Sequence, residues 1–460
     1  MARRPNLREN PEVQRGNLMK NSLKILLLTS VATALAPMAS AQSSSTEARL
    51  QALEAMVAQL RAELAAEKAQ TDSDLIILER KATDIIVSKI PEKSGSGFKV
   101  GDTTFKLGGF VDADLHVTNF SDTPPASASA GRDFHIPFTT NVGDGTGGAT
   151  VTDFTGQATR FAVSAEREVA GKKATAHIET DFLVTGQGNE RITNSFSPRL
   201  RRAYLDYGGW RIGQEWSTFQ NTSAIPESAS FFTLTEGQIF IRQPQIRYTN
   251  GNFQLAAENG NATIIPALGA SPLGVEADSN LIPDIVARYN LKGDYGNISL
   301  SAIGRQLRSN SPGIDAESDF GWGLSAAGRV NVGDGDIRFS LTGGEGLGRY
   351  IGLNLVAGGA INPMTGDVEA IPSIGGHIAY RHPITDNTRF SVGVSQLSVD
   401  NQEFALGSIS DRARSAYGAL FWDPIPKVTF GIEGLYGDRR TEDGTDGDLA
   451  RFTFSGKYGF

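Results

Sequence analysis

The chain changes its hydrophobic pattern at about residue 103, where apolar and polar residues begin to alternate with a period of two. In the first such segment Leu107 and Val111 share one face, while Asp112 falls on the other. A period of two is the spacing of a β-strand whose two faces meet different surroundings. The alternation recurs to the end of the chain and predicts sixteen strands. Their predicted ranges are 103–118, 154–168, 172–184, 198–208, 209–216, 243–250, 252–259, 281–291, 295–308, 318–332, 335–345, 371–382, 387–400, 411–423, 427–439 and 448–460.

The connections between these strands are alternately short and long. The short joins have the composition of tight hairpin turns and lie at 170–171, 208–209, 250–251, 293–294, 333–335, 384–386 and 423–426. The long joins are 119–153, 185–197, 217–242, 260–280, 309–317, 346–370, 401–410 and 440–447. Outer-membrane barrels alternate in this way, with short periplasmic turns and long outer loops. We therefore predict an all-β fold over residues 103–460, an antiparallel transmembrane β-barrel of about 16 strands with both ends on the periplasmic side.

The last predicted strand separates the two faces most clearly. Phe452, Phe454 and Tyr458 fall on one face, and Thr453 and Lys457 fall on the other. An aromatic outer face suits lipid and an interfacial girdle of rings, so this strand favours a membrane barrel. An exposed edge hairpin of a soluble β-sandwich is the alternative interpretation.

The N-terminal residues have the pattern of an export signal. A segment with two lysines precedes the apolar run 25–36, which is followed by Ala39-Ser40-Ala41. This order is typical of a secretory signal peptide that ends at an A-x-A cleavage site. We predict that residues 1–41 are the signal peptide and that the true start is Met19.

Residues 42–92 have a helical periodicity instead. Their apolar residues recur at three-four spacing, which is the pattern of a coiled-coil seam. The seam consists of Leu50, Leu53, Val57, Leu60, Leu64, Leu75, Leu78 and Ile85. So narrow a seam predicts self-association in the periplasm, and a lone helix lying against the barrel is the alternative. Pro91 ends the helix, and residues 93–102 are predicted to be a flexible linker.

Composition and charge exclude several classes of protein. The chain has 460 residues and no Cys, and residues 1–41 hold six of its 43 Lys and Arg and two of its 51 Asp and Glu. The remaining chain carries 37 basic and 49 acidic residues, a net charge of −12, which disfavours nucleic-acid binding. The histidines lack metal-ligand spacing, and the glycine-rich run 343–348 is not a dinucleotide fingerprint. We expect no catalytic residues, no cofactor and no bound metal.

Several arginines fall on the predicted inner face of different strands. A ladder of guanidinium groups would favour anions, because guanidinium binds carboxylates in bidentate geometry. The predicted pore-lining residues are Arg160, Arg202, Arg211, Arg247, Arg288, Arg381, Arg389 and Arg414. Inner-face acids such as Asp112, Glu179 and Glu215 can pair with them. A nearly balanced, weakly selective pore is therefore the alternative.

Three blocks of sequence are more specific than the alternation alone. They are the N-terminal coiled coil followed by residues 105–114, residues 200–204 leading into 210–215, and the tail from 419 through 436–437 to 460. In these blocks the chain resembles the DcaP-like trimeric porin family of Gram-negative outer membranes. The resemblance implies a homotrimer of 16-stranded barrels that admits small solutes, anionic dicarboxylates among them. It does not extend to the long loops, so it implies no substrate for this chain.

The long connection 217–242 follows the fifth predicted strand, where general porins fold a loop into the channel. We predict that it forms the constriction, with its aromatic residues packed against the barrel wall, and an exposed loop is the alternative. The candidate residues are Glu227, Phe231, Phe232, Glu236 and Arg242.

These patterns favour an outer-membrane porin for passive diffusion of small hydrophilic solutes, with a preference for small anions such as carboxylates. A saccharide-type porin is less favoured, because most rings fall on the lipid-facing side. A third hypothesis is a structural tether that reaches peptidoglycan through the coiled coil. Expected partners are further copies of the chain, outer-membrane lipid and lipopolysaccharide, and the barrel-assembly machinery, whose terminal aromatic signal Phe460 resembles.

Overall fold

The computed structural model describes residues 55, 57–59, 61–62, 97–127, 129–184, 188–189, 193–266, 275–277, 280–309 and 317–460. The chain divides into two units, Met1–Ile90 and Pro91–Phe460. In the first unit the described residues are helical, and the side chain of Val57 is exposed. The predicted signal peptide and the other seam residues lie outside the described residues; these seam residues are Leu50, Leu53, Leu60, Leu64, Leu75, Leu78 and Ile85.

The second unit consists mainly of β-strands. They are β1 (Phe98–Val100), β2 (Thr103–Asp122), β3 (Gly147–Thr155), β4 (Arg160–Val169), β5 (Lys172–Asp181), β6 (Gly188–Asn189), β7 (Ser195–Phe196), β8 (Arg199–Tyr207), β9 (Trp210–Trp216), β10 (Arg242–Asn250), β11 (Phe253–Glu258), β12 (Ala262–Ile265), β13 (Val275–Ala277), β14 (Asp284–Gly293), β15 (Gly296–Ser309), β16 (Glu317–Val332), β17 (Gly335–Glu345), β18 (Gly359–Ile361), β19 (Val368–Ala370), β20 (Pro372–Thr385), β21 (Thr388–Val399), β22 (Ser410–Ile425), β23 (Val428–Thr441) and β24 (Asp446–Gly459). Short helices lie at Ala130–Asp133, Pro137–Thr139, Thr222–Ala224, Thr235–Gly237 and Gly348–Tyr350. None of the described helices is long and apolar enough to cross a membrane.

The long strands close into an antiparallel barrel. Each pairs with the next along the chain, and β24 returns to pair with β2, with Phe110 opposite Gly459 and Phe120 opposite Leu449. β3 and β4 together form the second strand of the barrel. β3 pairs with residues 114–122 of β2, and β4 pairs with residues 104–110 of β2. The predicted closed barrel of 16 antiparallel strands is therefore confirmed.

The two faces of the sheet differ as the alternation predicted. On β24 the outer side chain of Phe452 is 48% exposed, whereas the neighbouring inner side chain of Thr453 is 1% exposed. Trp210, Tyr248 and Trp422 are also exposed, each near a short turn. Apolar residues outside and polar residues inside reverse the arrangement of a soluble domain and match a barrel in lipid.

The structure differs from the prediction near the first strand. Residues 98–100 lie in the predicted linker 93–102, yet they form β1 and pair with the start of β2. The rings of Phe98 and Phe105 stack at 5.4 Å, and this apolar contact offsets the loss of flexibility. The predicted loop 119–153 is also shorter, because β2 continues to Asp122 and β3 begins at Gly147.

The apolar core lies among the connections that pack inside the barrel. Phe219 and Ile239 of one connection cluster with Leu347 and Tyr350 of another, against inner-face wall residues such as Leu397. Residues from β12, β13, β18 and β19 form a separate four-stranded sheet. The inner face therefore carries apolar residues wherever a loop covers it, since burial there removes apolar surface from water.

The backbone of the barrel requires glycine at residue 213. Gly213 on β9 has a φ of +129°, and a Cβ added there would lie 2.3 Å from the carbonyl oxygen of Ala203. We expect Gly213→Ala to destabilise the folded barrel by about 1–3 kcal/mol, because an L-residue is strained in this conformation. The measurement is the unfolding midpoint in detergent micelles. Gly108→Ala is the control, because a Cβ there meets nothing within 4 Å, and equal midpoints for both variants would contradict the expectation.

Candidate functional site in the barrel interior

A β-bulge concentrates arginines on the inner face of β8. The pairing of β5 with β8 runs from Glu179 opposite Arg202 to Thr180 opposite Leu200, which leaves Arg201 as the extra residue. Consequently Arg201 and Arg202 both point inward, and Arg201 is only 1% exposed while Leu200 on the outer face is 49% exposed. A bulge puts two residues of one strand against one of its partner and re-aims the side chains.

Arg201 is held by two carboxylates of β5. Its Nε donates to Glu179 Oε1 at 2.7 Å, and its Nη1 donates to Asp181 Oδ2 at 2.5 Å. Arg199 also makes a bidentate pair with Asp181, with both distances 2.9 Å. Strict alternation places Arg201 on the outer face, so the sequence prediction missed it. The signal of the bulge was a reversed pair, with the polar Arg201 at an outer-face position and the apolar Leu200 at an inner-face position.

The neighbouring strands extend this cluster. Arg202 donates from Nε and Nη2 to the two oxygens of Glu215 at 2.7 Å each, and Arg211 makes a bidentate pair with Asp206 at 2.6 Å each. We call this group the arginine wall. Its arginines are Arg160, Arg199, Arg201, Arg202, Arg211, Arg242 and Arg247, and its acids are Glu179, Asp181, Asp206 and Glu215.

Some arginines of the interior have no carboxylate partner. Among the described residues, no carboxylate oxygen lies within 4.0 Å of Arg242 or Arg247. The guanidinium of Arg242 instead lies 4.4 Å from the centre of the Trp216 ring. Arg288 donates to Asn290 Oδ1 at 2.8 Å and to the Gln220 carbonyl at 2.5 Å. With seven arginines and four acids, the arginine wall has three uncompensated positive charges.

The connection between β9 and β10 lies across the interior and is anchored on the far wall. Glu227 accepts a hydrogen bond from Arg381 Nε at 2.7 Å and another from Arg389 Nη2 at 2.6 Å. The next residues are held by Glu433 of β23, which accepts from Ser228 Oγ at 2.7 Å and from the backbone N–H of Ala229 at 2.9 Å. The segment therefore contacts strands opposite those from which it starts.

The aromatic residues of this connection are packed. Phe232 is buried, and its ring centre lies 3.8 Å from that of Phe240. Phe231 meets Phe134 of the first long connection edge to face at 5.1 Å. Arg242 is not part of the loop, because it is the first residue of β10.

A buried carboxylate joins the two connections. Glu236 accepts a hydrogen bond from Ser415 Oγ at 2.5 Å, and its Oε2 lies 3.8 Å from Nδ1 of His135. Burial raises the pKa of Glu236 above its ordinary value. Burial, with Arg451 acting in the same direction, lowers the pKa of His135 to about 3. Both shifts favour the neutral forms, so this contact adds little charge to the interior.

The structure contradicts one predicted pore residue. Arg414 lies on the outer face of β22, and its Nε donates to both carboxylate oxygens of Asp438, at 3.0 and 3.1 Å. Placing Arg414 on the inner face also puts Tyr417 and Phe421 of the same strand on the lipid side by alternation, but both are buried inside, where Tyr417 donates to the Glu227 carbonyl at 3.0 Å. The other predicted arginines lie on the inner face: Arg160, Arg202, Arg211, Arg247, Arg288, Arg381 and Arg389.

A closed 16-stranded barrel with an apolar exterior and a charged interior defines the class of outer-membrane channels. The chain belongs to the DcaP outer membrane protein family, whose sequence model matches residues 144–460. Among the described residues, no group of three or more His, Asp or Glu side chains is arranged to hold a metal ion.

The barrel is similar to solved structures of outer-membrane proteins. The outer membrane channel DcaP of Acinetobacter baumannii is 21% identical with a TM-score of 0.64, and the match covers 80% of this chain and 100% of that one. OmpT of Vibrio cholerae, in its trimer form, is 12% identical with a TM-score of 0.47, and the match covers 78% of this chain and 99% of that one. No curated protein sequence matches this chain.

The Glu227 anchor makes the channel sensitive to strong acid. Burial alone would raise the pKa of Glu227, but Arg389 and Arg381 outweigh it and hold that pKa below 4.5. A carboxylate with a depressed pKa contributes above its ordinary pKa, and its contribution is lost as the pH falls through the depressed value. We therefore expect the Glu227 anchor to stay ionised from neutral pH down to about pH 5, so that the difference in single-channel conductance between wild type and Glu227→Gln changes only below the ordinary range of Glu.

Glu227→Gln should raise the conductance at neutral pH, because the loop loses both arginine contacts. The matched control is Glu403→Gln, which removes an exposed loop carboxylate. Equal conductance of Glu227→Gln and wild type at every pH would show that this anchor does not hold the loop.

Proposed function

We propose that the protein is a passive diffusion porin of the outer membrane that favours small anions, carboxylates among them. The observation that supports this preference is the arginine wall, which has three more arginines than acids and in which Arg242 and Arg247 have no carboxylate oxygen within 4.0 Å among the described residues. Arg247 carries the strongest argument, because it lies on the inner face of β10 with no carboxylate oxygen within 4.0 Å among the described residues.

The ion pairs of the arginine wall fix the positions of its guanidinium groups and leave the wall with a net positive charge. Each carboxylate of the wall contacts the guanidinium group from one side, and bidentate geometry fixes the plane of Arg202 and of Arg211. A passing carboxylate would meet a preorganised row of donors, and guanidinium matches its geometry. A fully balanced wall would give a weakly selective pore, so the excess of arginines over acids supports the anion-selective hypothesis.

The connection between β9 and β10 supports a narrow passage. It occupies the interior between the arginine wall and the strands that bear Arg381 and Arg389. A solute in this passage would lie within a short distance of fixed charges, where electrostatic selection is strongest. We propose that Glu227, Phe231, Phe232 and Glu236 form the constriction, with Arg242 on the wall beside it.

The proposal includes the parts of the chain outside the barrel. A signal peptide over residues 1–41 would direct export, and a coiled coil over 42–92 would associate three copies in the periplasm. The heptad-like spacing of the seam supports this arrangement, because a narrow apolar stripe needs a partner helix. Deleting residues 47–90 should leave conductance per barrel intact and weaken the trimer.

Anion preference is tested by the reversal potential in a salt gradient. Arg247→Ala should shift the reversal potential toward that of a non-selective pore and lower the anion-to-cation permeability ratio by up to about fivefold, since a charge at contact distance in water contributes about 1 kcal/mol. Arg414→Ala is the matched control, because it removes an arginine from the outer face. A cation-selective wild type, or equal potentials for Arg247→Ala and wild type, would contradict the proposal.

A further inference from the structure

A pocket lies on the inner wall of the barrel, at the end where the short turns are. Its volume is 460 Å³, and its lining residues come from β5, β8, β9, β10 and β11. All of them lie within a few residues of a short turn, and the turn residues Gly208 and Gly209 are part of the lining. Because the short turns of such barrels face the periplasm, a solute in this pocket would lie at the periplasmic mouth of the channel.

The strand register arranges the polar side chains of the pocket in two rows. In the first row each residue lies opposite the next on the neighbouring strand, and the members are Thr175, Asp206, Arg211 and Arg247. The second row is nearer the short turns and has Thr249 opposite Gln254. The guanidinium groups therefore lie further inside the barrel than the side chains of the second row, and both rows face the same space.

Arg247 supplies hydrogen-bond donors that no described residue uses. Arg211 donates to both oxygens of Asp206 and to Glu215, so the one acid that lines the pocket already has a cationic partner. Arg247 makes no hydrogen bond to the described residues and has no carboxylate oxygen within 4.0 Å among them. Glu258 of the neighbouring strand accepts its hydrogen bonds further from the short turn and does not line the pocket. Free guanidinium donors of this kind are suited to a carboxylate.

The remaining polar side chains of the pocket can both donate and accept hydrogen bonds. The hydroxyl of Thr175 makes no hydrogen bond to the described residues, and the hydroxyl of Thr249 accepts one long contact, 3.4 Å from Gln254 Nε2. None of the described lining residues is Leu, Ile or Val. Ligand hydroxyl groups would pair with these side chains, whereas a hydrocarbon tail would displace water from them and leave them unpaired.

We propose that this pocket is a subsite for hydroxylated carboxylates such as sugar acids, with the carboxylate on Arg247 and the ligand hydroxyls on Thr175, Thr249 and Gln254. The inference rests on the proposed function, since the pore must first admit small anions, and it adds a preference among them. A site that hydrogen-bonds a ligand hydroxyl discriminates against the analogue that lacks it, because the site's own polar groups then lose a partner.

The subsite is tested by the block of chloride current in planar bilayers, with gluconate or hexanoate added on the short-turn side. Both probes are monocarboxylates of equal chain length, and only gluconate carries additional hydroxyl groups. In wild type, gluconate should block at a concentration about fivefold lower than hexanoate does, which is the effect of about one net hydrogen bond. Thr175→Val combined with Thr249→Val should bring the two blocking concentrations within about twofold, because Val keeps the shape of Thr and removes the hydroxyl.

Two further variants separate the carboxylate contact from the hydroxyl contacts. Arg247→Gln should weaken the block by both probes alike, because it removes the carboxylate anchor. Thr152→Val is the matched control, since it removes an exposed hydroxyl from the outer face of β3, and both probes should block it as they block wild type. Each variant is first shown to be folded by its heat-modifiable mobility on gels.

The result can contradict the subsite without contradicting the proposed function. Both probes carry the same charge, so their ratio reports the hydroxyl contacts, whereas the reversal potential in a chloride gradient reports the anion preference. Equal block by gluconate and hexanoate in wild type, or an unchanged ratio in the double threonine variant, would overturn the hydroxyl contacts. Undiminished block of Arg247→Gln would overturn the anchor, and stronger block by gluconate from the loop side than from the short-turn side would overturn the location.

Discussion

Backbone hydrogen bonding in lipid is the constraint on which the rest of this structure depends. A strand edge left open in hydrocarbon would expose a row of unpaired N–H and C=O groups. Each unpaired group would cost about several kcal/mol of folding free energy. The return of β24 to β2 removes that edge. Closure then assigns every strand an outer and an inner face, and the fixed inner face is what allows charges from strands far apart in sequence to form one surface.

The interior combines two kinds of contact that have opposite roles. Pairs such as Arg202 with Glu215 are bidentate and satisfied, and they hold the wall in one geometry. Arg242 and Arg247 have no carboxylate oxygen within 4.0 Å among the described residues, and the guanidinium group of Arg242 lies over the Trp216 ring instead. The connection carrying Glu227 brings a third set of contacts across the interior, so the same arginine chemistry both fixes the loop and supports the proposed selection of anions.

Most of the barrel could be predicted from alternation because the two faces of a strand in a membrane differ so strongly. The strand ending at Glu345 and many others lie within a few residues of their predicted bounds. The errors have two causes. First, alternation cannot predict an extra residue in one strand, so the inward orientation of Arg201 was missed. Second, aromatic character alone does not show that a loop covers a ring on the inner face, as at Tyr417 and Phe421. The partners of Glu227 are distant in sequence, and no local pattern encodes them.

The bulge in β8 limits how the arginine wall can change in evolution. The extra residue at Arg201 sets the phase of the strand, so that Arg199 on one side of it and Tyr204 on the other both face inward. Deleting or inserting one residue there would exchange the inner and outer faces over half of the strand and place guanidinium groups in hydrocarbon. Exchanges of one side chain for another carry no such penalty. The inner surface of this strand can therefore change by single substitutions, whereas the number of residues in the strand must stay constant.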